Sequence, residues 1–116
     1  MALAVAAKNL MLDALGGVAV FASLHTADPG LTGTSEVTGG TPAYARKAIT
    51  WNAASASNLD NNANPVIDVP AGTYSHFGLW SAATAGTFYG GGALSATEVF
   101  AAQGTYTLTD ADISMP

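Results

Sequence analysis

The chain has 116 residues, of which 49% are apolar and only 9% are charged, well below the roughly 25% of charged residues in an average soluble domain. This length is sufficient to bury one hydrophobic core. The formal charge of −5, with three cations against eight acids, excludes the basic surface that a nucleic-acid partner requires. Because the chain contains no cysteine, it can form neither a disulfide framework nor a thiolate zinc site.

The N-terminal segment, residues 2–15, predicts a short amphipathic helix that ends at Gly16-Gly17. Its apolar residues recur at the spacing of one helix face. They are Leu3, Ala6, Ala7, Leu10, Met11, Ala14 and Leu15. A helix of this length is marginal in water by itself, so we expect it to dock, either on the core or on a partner.

Neither a signal peptide nor a membrane-spanning helix is predicted. The N-terminal segment has no basic residue ahead of its apolar part and is interrupted by Lys8, Asn9 and Asp13. No stretch of the chain approaches the roughly 20 apolar residues that cross a bilayer as a helix. We therefore expect no export by a signal peptide and no membrane partner.

Residues 18–113 predict strands and loops. Runs rich in β-branched and aromatic residues alternate with turn-forming residues at the spacing typical of a sandwich or barrel. The predicted strands are 18–24, 44–51, 66–69, 74–80, 87–89, 98–100 and 105–108. Segments 30–42 and 52–64 are polar or small-residue loops. The sequence therefore predicts one domain over residues 1–116, a mainly β, antiparallel β-sandwich of about seven strands with one short N-terminal α-helix.

Few side chains in the sequence are suited to catalysis. Nucleophilic catalysis needs a hydroxyl or thiol held by a base that a third group orients. The two histidines, His25 and His76, lie in or beside predicted strands and are flanked by Leu24 and Phe77. This context is more typical of a partly covered strand histidine than of a base, so we predict no catalytic residue.

The acidic residues do not form a recognisable metal motif. Asp60, Asp110 and Asp112 lack the alternating oxygen ligands and the closing glutamate of a calcium loop. The segment 110–112 predicts the turn that ends a strand, and Asp28 is predicted to cap its own turn. We therefore predict neither a metal site nor a cofactor.

Two further clusters have structural interpretations. Gly90–Gly92 is not followed by the Lys-Ser or Lys-Thr pair of a phosphate loop, and it predicts a bulge or the close approach of another backbone. Arg46 and Lys47 predict solvated side chains on one strand, with a salt bridge across an acidic interface as the alternative. A surface with so few ions can lie against a neighbour at low desolvation cost, which favours assembly as a function.

Five segments of the chain, in their order, resemble a family of small virion proteins of tailed phages that infect actinobacteria. They are AAKNLMLDALGG, SLHTADPGLTGTSEV, GGTPAYARKAITW, DVPAGTYSHFGLWSAATAGTFYGGGAL and FAAQGTYTLTDADI. Members of that family are tail fibre or minor tail proteins, and similar proteins decorate capsids. The resemblance implies a non-enzymatic, β-rich subunit that is assembled in the host cytoplasm and binds other virion proteins, as a homo-oligomer or within a lattice.

The resemblance also suggests a role for HFGLWSAATAGTFYGGG, residues 76–92. It implies a buried hairpin in which Phe77, Leu79 and Phe88 face the core, while Trp80 and Tyr89 face the other side or an interface. The alternative is that this hairpin only completes the sheet of its own chain, since aromatic residues are common in both settings.

Two other functions remain open from the sequence alone. A β-sandwich with exposed aromatic residues can stack sugars, and Trp51, Trp80 and Tyr89 are the candidate contacts for a glycan or for an interface. A small hydrolase acting on the cell envelope is the weaker alternative, because it would require His25 or His76 beside a carboxylate in a cleft.

Overall fold

A computed structural model describes residues 1–116 and confirms the predicted mainly β, antiparallel fold with one helix. The elements are α1 (Val5–Gly16), β1 (Phe21–His25), β2 (Lys47–Ala48), β3 (Asn58–Leu59), β4 (Val66–Val69), β5 (Gly72–Trp80), β6 (Phe88–Phe100), β7 (Gly104–Thr107) and β8 (Ile113–Ser114). A main sheet has the order β2-β1-β5-β6, and two short ladders pair β3 with β8 and β4 with β7. The main sheet and the ladders enclose one core, as the unequal layers of a sandwich.

A long hairpin dominates the architecture. The β4–β7 ladder ends at Val69 opposite Gly104, and the β5–β6 ladder begins at Gly72 opposite Phe100. The two ladders therefore form a single hairpin, interrupted where Pro70 and Ala71 face the turn at 101–103. At roughly 3.3 Å per residue, the path from β4 through β5 is about as long as the molecule, whose greatest extent is 48 Å.

The two faces of the main sheet are covered differently. Leu24, Phe77 and Leu79 alternate onto one face, where they pack in the core with residues of β4 such as Ile67 and Val69. The opposite face carries Trp80 and is covered by an irregular segment, residues 26–46, which we call the cover loop. Thus one face is closed by strands and the other by a loop.

Several strand boundaries differ from those predicted. The predicted strand 44–51 is reduced to Lys47–Ala48, because the residues that follow it leave the sheet. Ile49 is buried in the core, and the Trp51 Nε1–H donates to the carbonyl oxygen of Ala19. The predicted strands 87–89 and 98–100 are one strand, β6, because the intervening glycines continue the ladder. The two-residue strands β3 and β8 were not predicted, since so short a pairing leaves no periodicity in the sequence.

The prediction for the hairpin faces holds for Phe77 and Leu79 and is wrong for Phe88. An irregularity in β6 pairs Trp80 with Phe88 but Leu79 with Gly90, so that Tyr89 is the extra residue. Phe88 consequently shares the face of Trp80, with the two ring centroids 5.0 Å apart. A bulge of one residue is enough to reverse the inward and outward positions that follow it.

The predicted helix is present, although it begins at Val5 instead of residue 2 and ends at Gly16. At 12 residues, α1 has neither the length nor the sustained hydrophobicity to cross a bilayer, and it is the one α-helix in the structure.

Candidate functional site

A buried polar chain lies beneath the cover loop. The Trp80 Nε1–H donates to Ser23 Oγ at 2.8 Å, and Ser23 Oγ lies 2.7 Å from His25 Nε2. His25 Nδ1 lies 2.7 Å from the carbonyl oxygen of Thr34, which can only accept. Nδ1 must therefore carry the proton, and Ser23 donates to Nε2. Burial lowers the pKa of His25, which keeps this neutral tautomer.

This arrangement brings together a serine and a histidine, yet in a closed setting. Both side chains have 0% exposure, and the serine oxygen is already occupied by the indole N–H of Trp80. The third group is a backbone carbonyl in place of a carboxylate. The chain of bonds therefore ties the sheet to the cover loop, and His25 is more deeply covered than the sequence suggested.

Arg46 joins the cover loop to the hairpin turn. Its Nε and NH2 groups donate to the two carboxylate oxygens of Glu36, both at 2.9 Å, while NH1 donates to the carbonyl oxygens of Ala82 and Ala85 at 3.0 and 2.8 Å. The guanidinium carbon lies 3.6 Å from the ring centroid of Trp80. A planar, multi-donor cation is the side chain suited to this geometry.

The prediction that Arg46 is a solvated side chain is therefore wrong. Its side chain is only 8% exposed, and its acidic partner belongs to the same chain. Burial alone would raise the pKa of Glu36, but the hydrogen bonds from Arg46 and Tyr44 lower it overall. Tyr44 donates to Glu36 at 2.7 Å, and burial together with this bond raises the pKa of its phenol. The result is an internal clamp, not a surface for an acidic partner.

The three predicted contact residues lie in different environments. Trp80 is 9% exposed and is enclosed between Arg46 and Phe88. Trp51 is half-buried against Gly16 of α1. Tyr89 is 41% exposed and is the only one of the three among the exposed large hydrophobic residues. The structure therefore does not bring these side chains together as a platform.

Tyr89 lines a groove of about 250 Å³ between β6 and the C-terminal strand. Phe77, Leu79 and Leu15 form its apolar floor, and Asp112 borders it. Typical ligand sites measure roughly 300–1,000 Å³, so this groove is small. This groove combines an exposed aromatic ring with a carboxyl group.

Asp112 belongs to a cluster of three carboxyl groups. Hydrogen bonds with Asp60 and with Asp110 raise the pKa of Asp112 to about 7, because they favour its protonated form. Although Asp112 interacts with both of these carboxyl groups, the structure has no group of three His, Cys, Asp or Glu side chains that could hold a metal ion. The predicted turn cap at Asp28 is confirmed, since Asp28 Oδ1 accepts the N–H of Gly30 at 2.9 Å.

The glycines of β6 act as predicted. A Cβ atom at Gly91 would lie 2.2 Å from the carbonyl oxygen of Phe77 and 2.9 Å from Pro29 of the cover loop. Gly90, next to the bulge, has a φ of +148°, which favours glycine. These positions permit a bulge and a close approach within the same chain.

The helix α1 packs on the rest of the chain through a mixed side, on which Leu12 and Leu15 accompany polar residues. Asn9 Oδ1 accepts the N–H of Ser57 at 2.9 Å, and Asp13 Oδ1 accepts the N–H of Ala54 at 2.7 Å. Leu12 is buried between these polar contacts, with 1% exposure. In contrast, Leu10 is 71% and Met11 46% exposed. Most of the apolar stripe predicted from the sequence therefore faces outward.

Sequence reasoning missed the partners of Asn9, Asp13 and Arg46. A signal was available for the helix, because Asn9 and Asp13 are four residues apart and so share one face. The backbone N–H groups of loop 52–57 need acceptors, and this face of the helix can supply them. No comparable spacing predicted Arg46, whose partners lie 10 to 39 residues away.

Comparison of the sequence with models of known protein families gives a match that covers nearly the whole chain. The model of the Gp80 family, Podophage GP4 fiber I protein gp80, matches residues 5–115. A search of curated proteins found no match. Since the matched region extends from the start of α1 to beyond β8, it includes the clamp, the groove and the long hairpin. The chain therefore belongs to the family of the podophage GP4 fiber I protein gp80, and is a bacteriophage virion protein of the fibre type.

Proposed function

We propose that this protein is a non-enzymatic fibre subunit of the phage tail, of the tail-fibre or minor tail type, which assembles with other virion proteins in the host cytoplasm. The observation that carries this proposal is the family match over residues 5–115. The family describes a fibre protein, which favours a place in a fibre over a place in a capsid-surface lattice.

The distribution of polar groups supports a structural role. The two groups nearest to a catalytic pair, Ser23 and His25, are fully buried and engaged. Arg46 uses its donors within its own chain. Most of the large apolar side chains left exposed are aliphatic, which suits contact with other proteins more than chemistry.

Cryo-electron microscopy of purified particles tests this proposal. We expect density for this chain at the tail, in a small number of copies. Decoration of the capsid would give hundreds of copies distributed over its surface, and would replace the tail assignment. Absence of the chain from purified particles, checked by mass spectrometry of the same sample, would reject a virion role altogether.

The host is a further prediction. The resemblance of the chain to virion proteins of actinobacterial phages leads us to propose an actinobacterial host. Adsorption of particles that carry this chain to actinobacterial cells, and not to other bacteria, is the expected result. Adsorption only to cells of another phylum would contradict it.

A glycan-binding role is the second candidate, and the groove beside Tyr89 is the observation that favours it. An exposed aromatic ring next to the carboxyl group of Asp112 provides a stacking surface and a hydrogen-bonding group. Tyr89→Ala should abolish binding to a host-wall glycan array while leaving the fold intact. Leu31→Ala is the control, since Leu31 is an exposed apolar residue that lies outside the groove. Equal glycan signals for the wild type and Tyr89→Ala would exclude this site.

A further inference from the structure

The strand β6 forms one edge of the main sheet and pairs with β5 alone. Its residues 90–93 pair in unbroken register with residues 76–79, between the bulge at Tyr89 and a wider irregularity at 94–97, where four residues of β6 face one of β5. None of the backbone hydrogen bonds outside the helix and the ladders involves residues 88–100. This regular edge is about 13 Å long and can pair with about four residues of a further strand.

The centre of this edge is not protected against pairing. Sheet edges are protected by charged side chains, by proline or by bulges. Residues 90–93 are Gly-Gly-Gly-Ala, whose side chains do not hinder the approach of another backbone. Gly91 and Ala93 are exposed, and Gly90 and Gly92 are half-buried. The bulges at either end limit the length of the edge but leave it open between them.

The groove beside Tyr89 opens next to the same edge. Gly90 and Gly91 form part of its wall, and a Cβ atom added at Gly90 would meet nothing within 4 Å. A glycine in a strand leaves a space that a large side chain of the neighbouring strand can fill. At about 250 Å³ the groove is smaller than most ligand sites, but it has room for one large side chain over Phe77 and Leu79.

The acidic side chains at the groove favour a basic partner. Asp112 borders the groove and interacts with Asp60 and Asp110, and we call these three residues the acidic trio. The one salt bridge of the chain joins Arg46 to Glu36, so no cation of the chain neutralises the trio. In a strand, residues two positions apart point to the same side, about 7 Å from each other. A lysine or arginine two positions from the inserted side chain can therefore reach Asp112.

A second copy of this chain does not offer such a segment. Pairing of β6 with β6 of another copy would bring two acidic trios together, which repel each other. The other edge of the main sheet, β2, contains a lysine but is only two residues long. The remaining cations are Lys8 on α1 and Arg46 in the clamp. The occupant is therefore a segment of a different protein.

We propose that the edge at residues 90–93 binds an extended segment of another protein. The segment adds to β6 as a strand, inserts one large apolar side chain into the groove and places a basic residue beside Asp112. That this protein is another virion protein rests on the proposed function, whereas the chemistry of the segment does not. The groove cannot hold this side chain and a sugar at the same time, so the proposal competes with glycan binding there.

Selection from a random heptapeptide library, displayed on yeast and exposed to the purified full chain, tests the proposal. Enriched sequences should share a large apolar residue and a lysine or arginine, separated by one residue. The most enriched peptide, made synthetically, should shift the amide NMR signals of residues 89–93 and 112–114 and leave those of β2 unchanged. No enrichment over a library exposed to no protein would overturn the proposal, also where host-wall glycans bind through Tyr89.

Methylation of the peptide backbone distinguishes strand addition from binding by side chains alone. Only every second N–H group of an added strand faces its neighbour. Methylating one amide of the peptide at a time should therefore abolish binding at alternate positions and have little effect at the positions between them. Unchanged binding after methylation at every position would overturn strand addition. This measurement needs only the wild-type protein.

Charge reversal tests the contact with the acidic trio. Asp112→Lys should weaken binding of the selected peptide roughly tenfold and strengthen binding of a peptide in which glutamate replaces the basic residue. Glu98→Lys is the matched control, because it makes the same change at an exposed residue of β6 outside the groove, and it should alter neither affinity. Fluorescence anisotropy of labelled peptides measures both. Equal affinity of the two peptides for the wild type would contradict the charge contact, whether or not Asp112→Lys folds.

Particle analysis separates this inference from the proposed function. If the selected peptide binds at β6 but the chain is missing from purified particles, the virion role fails and the strand site stands. If the chain is present in particles, but no peptide is enriched and no strand lies beside residues 90–93 in the particle density, the strand site fails and the virion role stands.

Discussion

The sheet face under the cover loop and the helix α1 both direct polar side chains toward the rest of the chain. They differ in their apolar side chains, which are enclosed under the cover loop and exposed on the helix. Under the cover loop, Arg46, His25 and Ser23 bond inward and the aromatic ring of Trp80 is enclosed with them. On α1, Asn9 and Asp13 also bond inward, but Leu10 and Met11 face solvent.

This difference shows that hydrophobic periodicity alone does not identify the side of a helix that docks within its own chain. The cover loop lacks regular backbone pairing, so side chains must hold it in place. The helix satisfies its own backbone and needs only a few contacts to be fixed. Its exposed apolar side chains, such as Leu10 and Met11, are thereby left uncovered within the chain.

We expect Arg46→Ala to destabilise the protein more than any other substitution proposed for these two regions. The substitution leaves the carbonyl oxygens of Ala82 and Ala85 without their donor and uncovers Trp80. Glu36 loses both bonds from Arg46 and keeps only the hydroxyl of Tyr44 as a donor. Removing one partner of a largely buried ion pair costs about 3–5 kcal/mol, and we expect the lower end because the Glu36 side chain is 21% exposed. Urea unfolding followed by tryptophan fluorescence measures the loss.

The control for this experiment is Lys47→Ala, which removes the neighbouring cation from β2 and should change the free energy of unfolding by less than about 0.5 kcal/mol. A loss below about 1 kcal/mol for Arg46→Ala would show that the clamp is dispensable. A single unfolding transition in the wild type is also expected, since we predict that residues 1–116 form one domain.

Gly78→Ala tests how closely the polar chain beneath the cover loop is packed. A Cβ atom there would lie 2.6 Å from Ser23 Oγ and 2.7 Å from His25 Nε2. Overpacking costs typically about 1–3 kcal/mol, and we expect about 2 kcal/mol together with a displaced His25 ring visible by NMR.

Gly17→Ala is the matched control for Gly78→Ala. Gly17 ends α1 with a φ of −72°, and its nearest neighbour to an added Cβ atom is the carbonyl oxygen of Ala14 at 3.5 Å. The change should be neutral or stabilising by about 0.4–1 kcal/mol. Equal effects of the two substitutions would mean that the space around Gly78 is not limiting.

The parts of the fold that could be predicted are those set by local patterns. The strand β4 was placed without error, and β5, β7 and α1 were placed to within a few residues, because their composition and bounding turns are local signals. The two-residue strands β3 and β8 exist only through pairing across 55 residues, which no window of the sequence shows.

The candidate sites were less predictable for the same reason. Tyr89 is one of the three predicted contact residues and is exposed, but the groove that it lines depends on Asp112 and Leu15, which are distant in the sequence. The partners of Arg46 could not be found, because a guanidinium group binds carbonyl oxygens of any residue type. The face of Phe88 was wrong because one bulged residue changes the alternation of the strand.

A smaller effect is expected from loosening the helix. Asn9→Ala removes the acceptor of the Ser57 N–H, and Asp13→Ala that of the Ala54 N–H. Each hydrogen bond contributes about 0.5–1.5 kcal/mol, so each variant should lose about 1 kcal/mol. Hydrogen exchange should show the loss in the amides of α1 and of residues 54–57, with the main sheet unchanged.

Lys8→Ala, on the same helix but without a hydrogen bond or ion pair to the chain, is the control and should leave exchange in residues 54–57 unaltered. If Asn9→Ala and Asp13→Ala protect these amides as well as the wild type does, α1 is held by Leu12 and Leu15 alone. The polar contacts of Asn9 and Asp13 would then contribute less to holding the helix than the structure indicates.

A weak pH dependence of stability is expected to originate at Asp112, in the groove beside Tyr89. The pKa of Asp112 is about 7 in the folded chain against an ordinary value of 3.8, so between these pH values the folded state holds a proton that the unfolded state releases. The free energy of unfolding from this group therefore falls as the pH rises from about 4 to 7. The pKa values of His25 and Glu36 are lowered, so these two groups make the free energy of unfolding rise with pH. Their contributions are the same in a variant of Asp112 and in the wild type, so they cancel in the difference between the two proteins.

Asp112→Asn keeps a neutral, hydrogen-bonding side chain beside Asp60 and Asp110 at every pH. The variant should match the wild type near pH 4 and be more stable at pH 8, where the wild type carries three neighbouring carboxylates. Thermal unfolding across this range measures the difference, and Asp68→Asn, which removes an acid of β4 outside the trio, should not reproduce it. A constant difference from pH 4 to pH 8 would mean that the three carboxyl groups titrate independently, and the groove would then present Asp112 as an ordinary carboxylate at neutral pH.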